Sequence, residues 1–189
     1  MDKKKIRTGV YMYPLPVVIV GAMVEGKPNF MTVAWASIVE MKPPLISISA
    51  HDSHHTNKGI EKHGEFSINI SSKDIIIQLD YCGIYSGKEV DKSNIFEVFY
   101  GELKNAPMIK ESPLNLECKV YKAIKLNIGH TLFIGEVINA YSEEKYLTKD
   151  APDISKINPL IYTMGEHSYR SVGEKLGKAW KIGRNFKKN

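Results

Sequence analysis

Cysteine, arginine and long apolar runs are all scarce in this sequence, and each scarcity excludes a class of protein. Two cysteines, Cys82 and Cys118, in 189 residues are too few for a disulfide framework or a four-thiolate metal centre. They read as reduced, partly buried thiols, which points to the cytoplasm. Arginine supplies only three of the 26 basic side chains. It is the side chain that reads bases and phosphates bidentately, so a nucleic-acid reader is not expected. No apolar stretch approaches the ~20 residues of a membrane-spanning helix, so no membrane partner is expected. Lys3–Arg7 followed by apolar Leu15–Val24 has the outline of a secretory leader. Pro14 and Pro16 interrupt it, and the run leads into a hairpin pattern rather than a cleavage site. No Gly-x-Gly-x-x-Gly, Gly-x-Ser-x-Gly or Gly-x-x-x-x-Gly-Lys-Ser/Thr signature occurs, so dinucleotide, acyl-enzyme and nucleoside-triphosphate motifs lack support.

The composition is otherwise that of one globular domain, with 43% hydrophobic and 25% charged residues. The net charge of +5 is concentrated at the ends. Lys3, Lys4, Lys5 and Arg7 open the chain; Lys175, Lys178, Lys181, Arg184, Lys187 and Lys188 close it. Between them, residues 8–174 carry 16 basic against 20 acidic groups, so the body is mildly acidic.

The pattern along the chain is mostly that of strands. Val17–Val24 is a β-branched run, Glu25-Gly26-Lys27-Pro28 a turn, and Asn29–Ile38 a second strand. Pro43-Pro44 stops it, and Leu45–Ser49 is a third. Phe66–Ile70 and Leu114–Val120 alternate apolar with polar residues, Thr131–Ile138 holds Gly135 where a bulge would go, and Leu160–Met164 is a late strand. Helices are expected over Thr56–His63 after a Ser/Thr cap, over Ser72–Tyr81 with Ser71-x-x-Asp74 opening it and Gly83 ending it, and over the basic tail Val172–Ile182. Many short strands with few helices predict a mainly β antiparallel barrel or sandwich. No repeat or linker divides it, so residues 1–189 form a single domain.

Four segments have more polar or glycine character than a packed barrel needs. In Asn29–Ser37, small Ala34 and Ala36 flank Trp35, a strand against which a planar ligand can lie; Trp35 is equally readable as a core aromatic. Ser49–Gly59 joins a strand end to a helix start with hydroxyls, Lys58 and first-turn amides, the parts of a phosphate cradle or of an ordinary capped loop. Its His51, Asp52, His54 and His55 are adjacent on a loop, a spacing that rarely converges on one ion, so no metal is expected. Ser86–Asn94 is either a solvated loop or a lid over an anion, with Lys92 as the residue to place near a phosphate or a carbonyl. Gly129-His130-Thr131 puts a lone histidine at a strand start, structural or functional. An aromatic wall near an anion cradle suits a flat, phosphorylated cofactor.

At these residues the chain resembles the flavin reductase-like family with the FMN-binding split barrel, in its flavoredoxin-type branch. The matching stretches are Pro14-x-Pro16-Val17-Val18 with Gly21, Asn29-x-Met31-Thr32-Val33-Ala34-Trp35, Pro43-Pro44, Ser49 and His54-His55-Thr56-Asn57. They continue through Phe66–Asn69, Asp80-Tyr81-Cys82-Gly83, Ser86-Gly87, Asp91-Lys92 and Gly129–Val137, so the resemblance covers about residues 10–165 in order. It implies a six-stranded antiparallel Greek-key split barrel with a few flanking helices, a homodimer, and FMN as cofactor. Asn29, Trp35 and the backbone of Thr32, Val33, Ala34 and Ala36 would line the isoalloxazine. Ser49, His55, Thr56 and Asn57 would surround the ribityl phosphate, and Lys92 would reach the flavin or its phosphate. His130 and the backbone around Met164 would complete the pocket, with no side chain acting as a catalyst. Reductase partners of two-component monooxygenases often carry Ser where this chain has Trp35, which favours a protein that keeps its FMN. The implied activity is that of a flavin oxidoreductase taking electrons at flavin N5, from NAD(P)H or a reduced protein partner, and passing them to an acceptor. A pure FMN electron carrier without NAD(P)H activity, or a cofactor-free binding barrel, are the alternatives.

Overall fold

The computed structural model describes residues 2–184 and 186; Lys187 and Lys188 of the basic tail lie outside the described residues. After the short β1 (Leu15–Pro16), the chain lays down β2 (Val18–Val24), β3 (Lys27–Val33), β4 (Ala36–Met41) and β5 (Pro44–His51). Helix α1 (Thr56–His63) leads to β6 (Glu65–Ile70), and α2 (Ile76–Ile84) follows a single 3₁₀ turn over Lys73–Ile75. Two-residue strands β7 (Val98–Phe99) and β8 (Met108–Ile109) precede the long pair β9 (Leu114–Lys125) and β10 (His130–Tyr141). Then come β11 (Leu147–Thr148), β12 (Ala151–Pro152), the one-turn α3 (Ile154–Ile157), β13 (Leu160–Thr163) and β14 (Ser168–Ser171).

The fold is mainly β, with a few helices on an antiparallel sheet of order β3-β2-β6-β9-β10-β5-β4. That is seven strands, against the six implied by the resemblance. A second sheet, β1-β13-β14, is also antiparallel. The β2–β3 hairpin turns on Glu25 (φ 53°) and Gly26 (φ 82°). Two positive φ values in a two-residue loop match the right-handed twist of the strands they join.

Strand β2 explains why its sequence is apolar throughout rather than alternating. Val18, Val20 and Ala22 point into a core shared with Met31, Ile48, Phe66 and Phe133. Val17 and Ile19 point into a second core with Phe30, Leu79, Phe96 and Ile109. Buried on both faces, the strand has no polar side to show. The register of β10 against β9 shifts between Ile134 and Gly135, the bulge expected there. A Cβ on Gly135 would run into the ring of fully buried Phe66, so the bulge and the packing of that ring belong together.

Four local expectations need correction. Asn29–Ile38 is not one strand: the chain bends at Ala34-Trp35, and the halves β3 and β4 end at opposite edges of the sheet. Helix α1 spans the expected residues, but its N-cap is His55, with no side-chain cap bond. Ser72, not Ser71, caps the turn before α2 by accepting from the Asp74 amide at 3.3 Å, and the helix runs through Gly83 to Ile84. Residues 172–182 form no helix. With Gly173 and Gly177 inside and no apolar face packed on the body, helix nucleation there is not repaid.

Candidate functional site

The bend between β3 and β4 carries Trp35, half exposed, beside the start of β10. Its indole stacks on the His130 ring, with centroids 4.9 Å apart and planes 29° from parallel. His130 meets the edge of His51 at 5.1 Å, and His51 faces His54 at 6.2 Å. Thr32, Val33, Ala34 and Ser49 complete this cleft of about 210 Å³. The Ser49 amide donates to the Trp35 carbonyl at 2.8 Å, tying the bend to β5. One aromatic and three imidazoles therefore make the wall.

A second cleft, of about 240 Å³, lies on the other side of His54. Thr32, His54, His55, Thr56, Lys92 and the segment Cys82–Gly87 line it. Thr56 opens α1, and its buried hydroxyl accepts from the Asn29 amide at 2.8 Å. A Cβ on Gly87 would strike the Asn29 carboxamide, so this glycine lets the 85–87 loop lie directly over Asn29 and His55. Beyond it, an exposed ion pair of 2.7 Å between Lys27 and Asp91 pins the loop to β3. Such a pair contributes little to stability.

Lys92 is the unusual group. Its side chain is buried, with the residue 3% exposed. Its ammonium donates to the carbonyls of Phe30 at 3.0 Å and Cys82 at 2.9 Å. An ammonium has three donors, and two are accounted for. No carboxylate pairs with it among the described residues, and burial pulls its pKa below the usual lysine value, opposed only by nearby Cys82. Cys82 itself is pushed up to about 11, chiefly by burial, so it stays a thiol. Burial also lowers the pKa of His54, helped by His51, His130 and Lys92, and lowers that of His55, helped by Lys58. The Nδ1 atoms of His54 and His55 are buried without a hydrogen-bond partner. The site is thus rich in donors and potential cations and poor in acids, the opposite of a cation site; among the described residues no cluster suits a metal ion.

The expected site residues fall into groups. Thr32, Val33, Ala34, Trp35, Ser49 and His130 share the wall cleft, and His55, Thr56 and Lys92 share the second. Asn29 sits against Thr56 and Gly87, on the His55 side rather than beside the indole. Asn57 is buried but turns to a third cleft with Asp52 and Lys58; its amide donates to the His51 carbonyl at 2.9 Å, and its Oδ1 is unpartnered. Ala36 packs against the core, and Met164 lies in the β13–β14 turn, lining neither of the first two clefts. The first-turn amides are partly used: those of Asn57 and Lys58 donate to the His54 and His55 carbonyls. His51 and His54, which are not among the expected site residues, also line the wall cleft; the density of imidazoles in His51–His55 is the sequence signal that points to them.

Comparison with known proteins agrees with this geometry. Residues 10–171 match the flavin reductase like domain. A flavoredoxin from Methanosarcina acetivorans superposes with a TM-score of 0.94 at 47% identity, covering 97% of this chain and 98% of that one. The flavoredoxin of Desulfovibrio vulgaris (Miyazaki F) gives 0.89 at 36% identity, over 97% and 100%. A protein of Archaeoglobus fulgidus is 32% identical over 148 residues, 77% of this chain and 81% of its own length. These likenesses support a flavin-binding, electron-transferring oxidoreductase. With residues 10–171 matching its domain model and a relative 32% identical over 77% of the chain, the chain belongs to the flavin reductase-like family.

Proposed function

We propose that this protein binds FMN and accepts electrons from NAD(P)H or a reduced protein partner, delivering them to an acceptor. The observation that carries this reading is Lys92, a buried ammonium bonded to two carbonyls and matched to no acid. Burying a cation without a counter-ion is costly, and an anion in the adjoining cleft removes that cost. The residues present fit a phosphorylated ring cofactor. Lys92 and the hydroxyl of Thr56 offer charge-assisted and neutral donors on one side of His54, and Trp35 offers a flat apolar surface on the other. The unpartnered Nδ1 atoms of His54 and His55 are further polar atoms awaiting a partner. Bound FMN would supply the redox chemistry. The protein holds the phosphate, sets the ring against the indole and keeps acids away from it. Two buried free thiols accord with a reducing cytoplasm.

The absorption spectrum of freshly purified protein tests the first half: a flavin spectrum, or saturable quenching of added FMN, is expected. A colourless chain that leaves FMN fluorescence unchanged overturns it. Anaerobic rapid mixing with NADH and NADPH tests the second. Bleaching at catalytically useful rates identifies a reductase, whereas flavin that only a reduced protein can bleach identifies an electron carrier.

A further inference from the structure

Two segments of this chain expose large apolar side chains to solvent among the described residues. One is β4, the last strand of its sheet, whose outer edge has no ladder. Along it Ile38 is 76% and Met41 79% exposed, with Val39 between them. A bare apolar edge is a template for another chain, and soluble folds cover such edges or charge them. The other is the C-terminal arm, residues 172–184. It leaves β14 at Ser171, makes neither helix nor strand, and exposes Leu176, Ile182 and Trp180, the indole at 92%.

We propose that the arm of one copy lies across the β4 edge of a second copy, and the reverse, so that each protomer gives one arm and receives one. The paired subunits implied by the family resemblance thereby acquire a specific device. Charge selects a copy of this chain as the host. The arm carries Lys175, Lys178, Lys181 and Arg184 against Glu174 alone, whereas residues 8–171 carry 16 basic against 19 acidic groups, and Glu40 stands among the exposed apolar side chains of β4. Topology places the parts on one side of the molecule. β1 lies against β4 and belongs to the small sheet from which the arm departs, so a two-fold axis near that side sets each arm over the other's edge.

The proposal is independent of the flavin and is read hydrodynamically. Sedimentation equilibrium is run on the full chain, on a chain ending at Ser171, and on full-length Ile38→Glu/Met41→Glu. The full chain is expected to be a dimer at micromolar concentration. Both variants should dissociate at least tenfold more readily, and high salt should weaken the full-length pair. If the glutamates disturb folding, the shortened chain decides, because the described residues it removes are exposed apart from half-buried Val172. A shortened chain that pairs as tightly as the full one overturns the proposal. So does a monomeric full chain, a pair undone by removing residues 2–9 instead, or a monomer whose arm binds vesicles of anionic phospholipid.

Discussion

Replacing Lys92 with methionine keeps the length of the side chain and removes its charge. Two effects oppose one another in the unliganded protein. The carbonyls of Phe30 and Cys82 lose their donor, at ~1–3 kcal/mol for each buried group left bare. Against this, the ammonium of a residue only 3% exposed no longer has to be stripped of water, a penalty of several kcal/mol. The net change in unfolding free energy should stay within about 2 kcal/mol of zero, read from urea midpoints. Ligand binding has no such compensation. One charge-assisted bond to the phosphate contributes ~1.5–3 kcal/mol, so FMN should bind roughly 10- to 100-fold more weakly. Fluorescence titration of FMN into both proteins measures this, and adding Thr56→Ala should weaken binding further. An Lys92→Met protein that folds and binds FMN within about threefold of the parent refutes the placement of the anion beside Lys92.

Other outcomes follow from single features. A Cβ on Gly59 of α1 would strike the Met23 carbonyl oxygen of β2, so Gly59→Ala should cost ~1–3 kcal/mol in denaturant unfolding, despite alanine's better helix propensity. His54 and His55 have folded pKa values below the ordinary 6.5, so the unfolded chain binds protons that the folded one refuses. Stability should therefore fall as pH drops below about 6.5, and His54→Asn/His55→Asn should flatten that slope between pH 7.5 and 5. Burial raises the thiols of Cys82 and Cys118 to about 11 and about 12, so an aromatic disulfide reagent at pH 8 should label neither until the protein is unfolded.

Periodicity in the sequence marks most of the sheet. Phe66–Ile70 and Leu114–Val120 alternate because one face is buried, and the run through Val17–Val24 does not because β2 is covered on both. The bend at Ala34-Trp35 leaves no such trace: β-branched and apolar residues continue across it, and only the change of partner, from β2 beside β3 to β5 beside β4, obliges the chain to turn. Lys92 sits in a stretch as polar as any surface loop, and its burial depends on carbonyls 10 and 62 positions away. Asn29 was legible as a polar residue in a buried strand, but its partner Thr56 comes from α1. Local signals found the elements and the cradle segment; long-range packing decided which residues meet across it.

Strands β3 and β4 are separated by two residues yet form the two edges of the seven-stranded sheet. The Ser49–Trp35 bond carries the β4–β5 ladder up to that bend, so a two-residue joint links the two margins of the sheet. Whatever rests against the indole rests on that joint. Filling the cleft beside it should therefore slow amide exchange at the neighbouring ends of β3 and β4, while the middle of the sheet, already locked between two cores, scarcely responds.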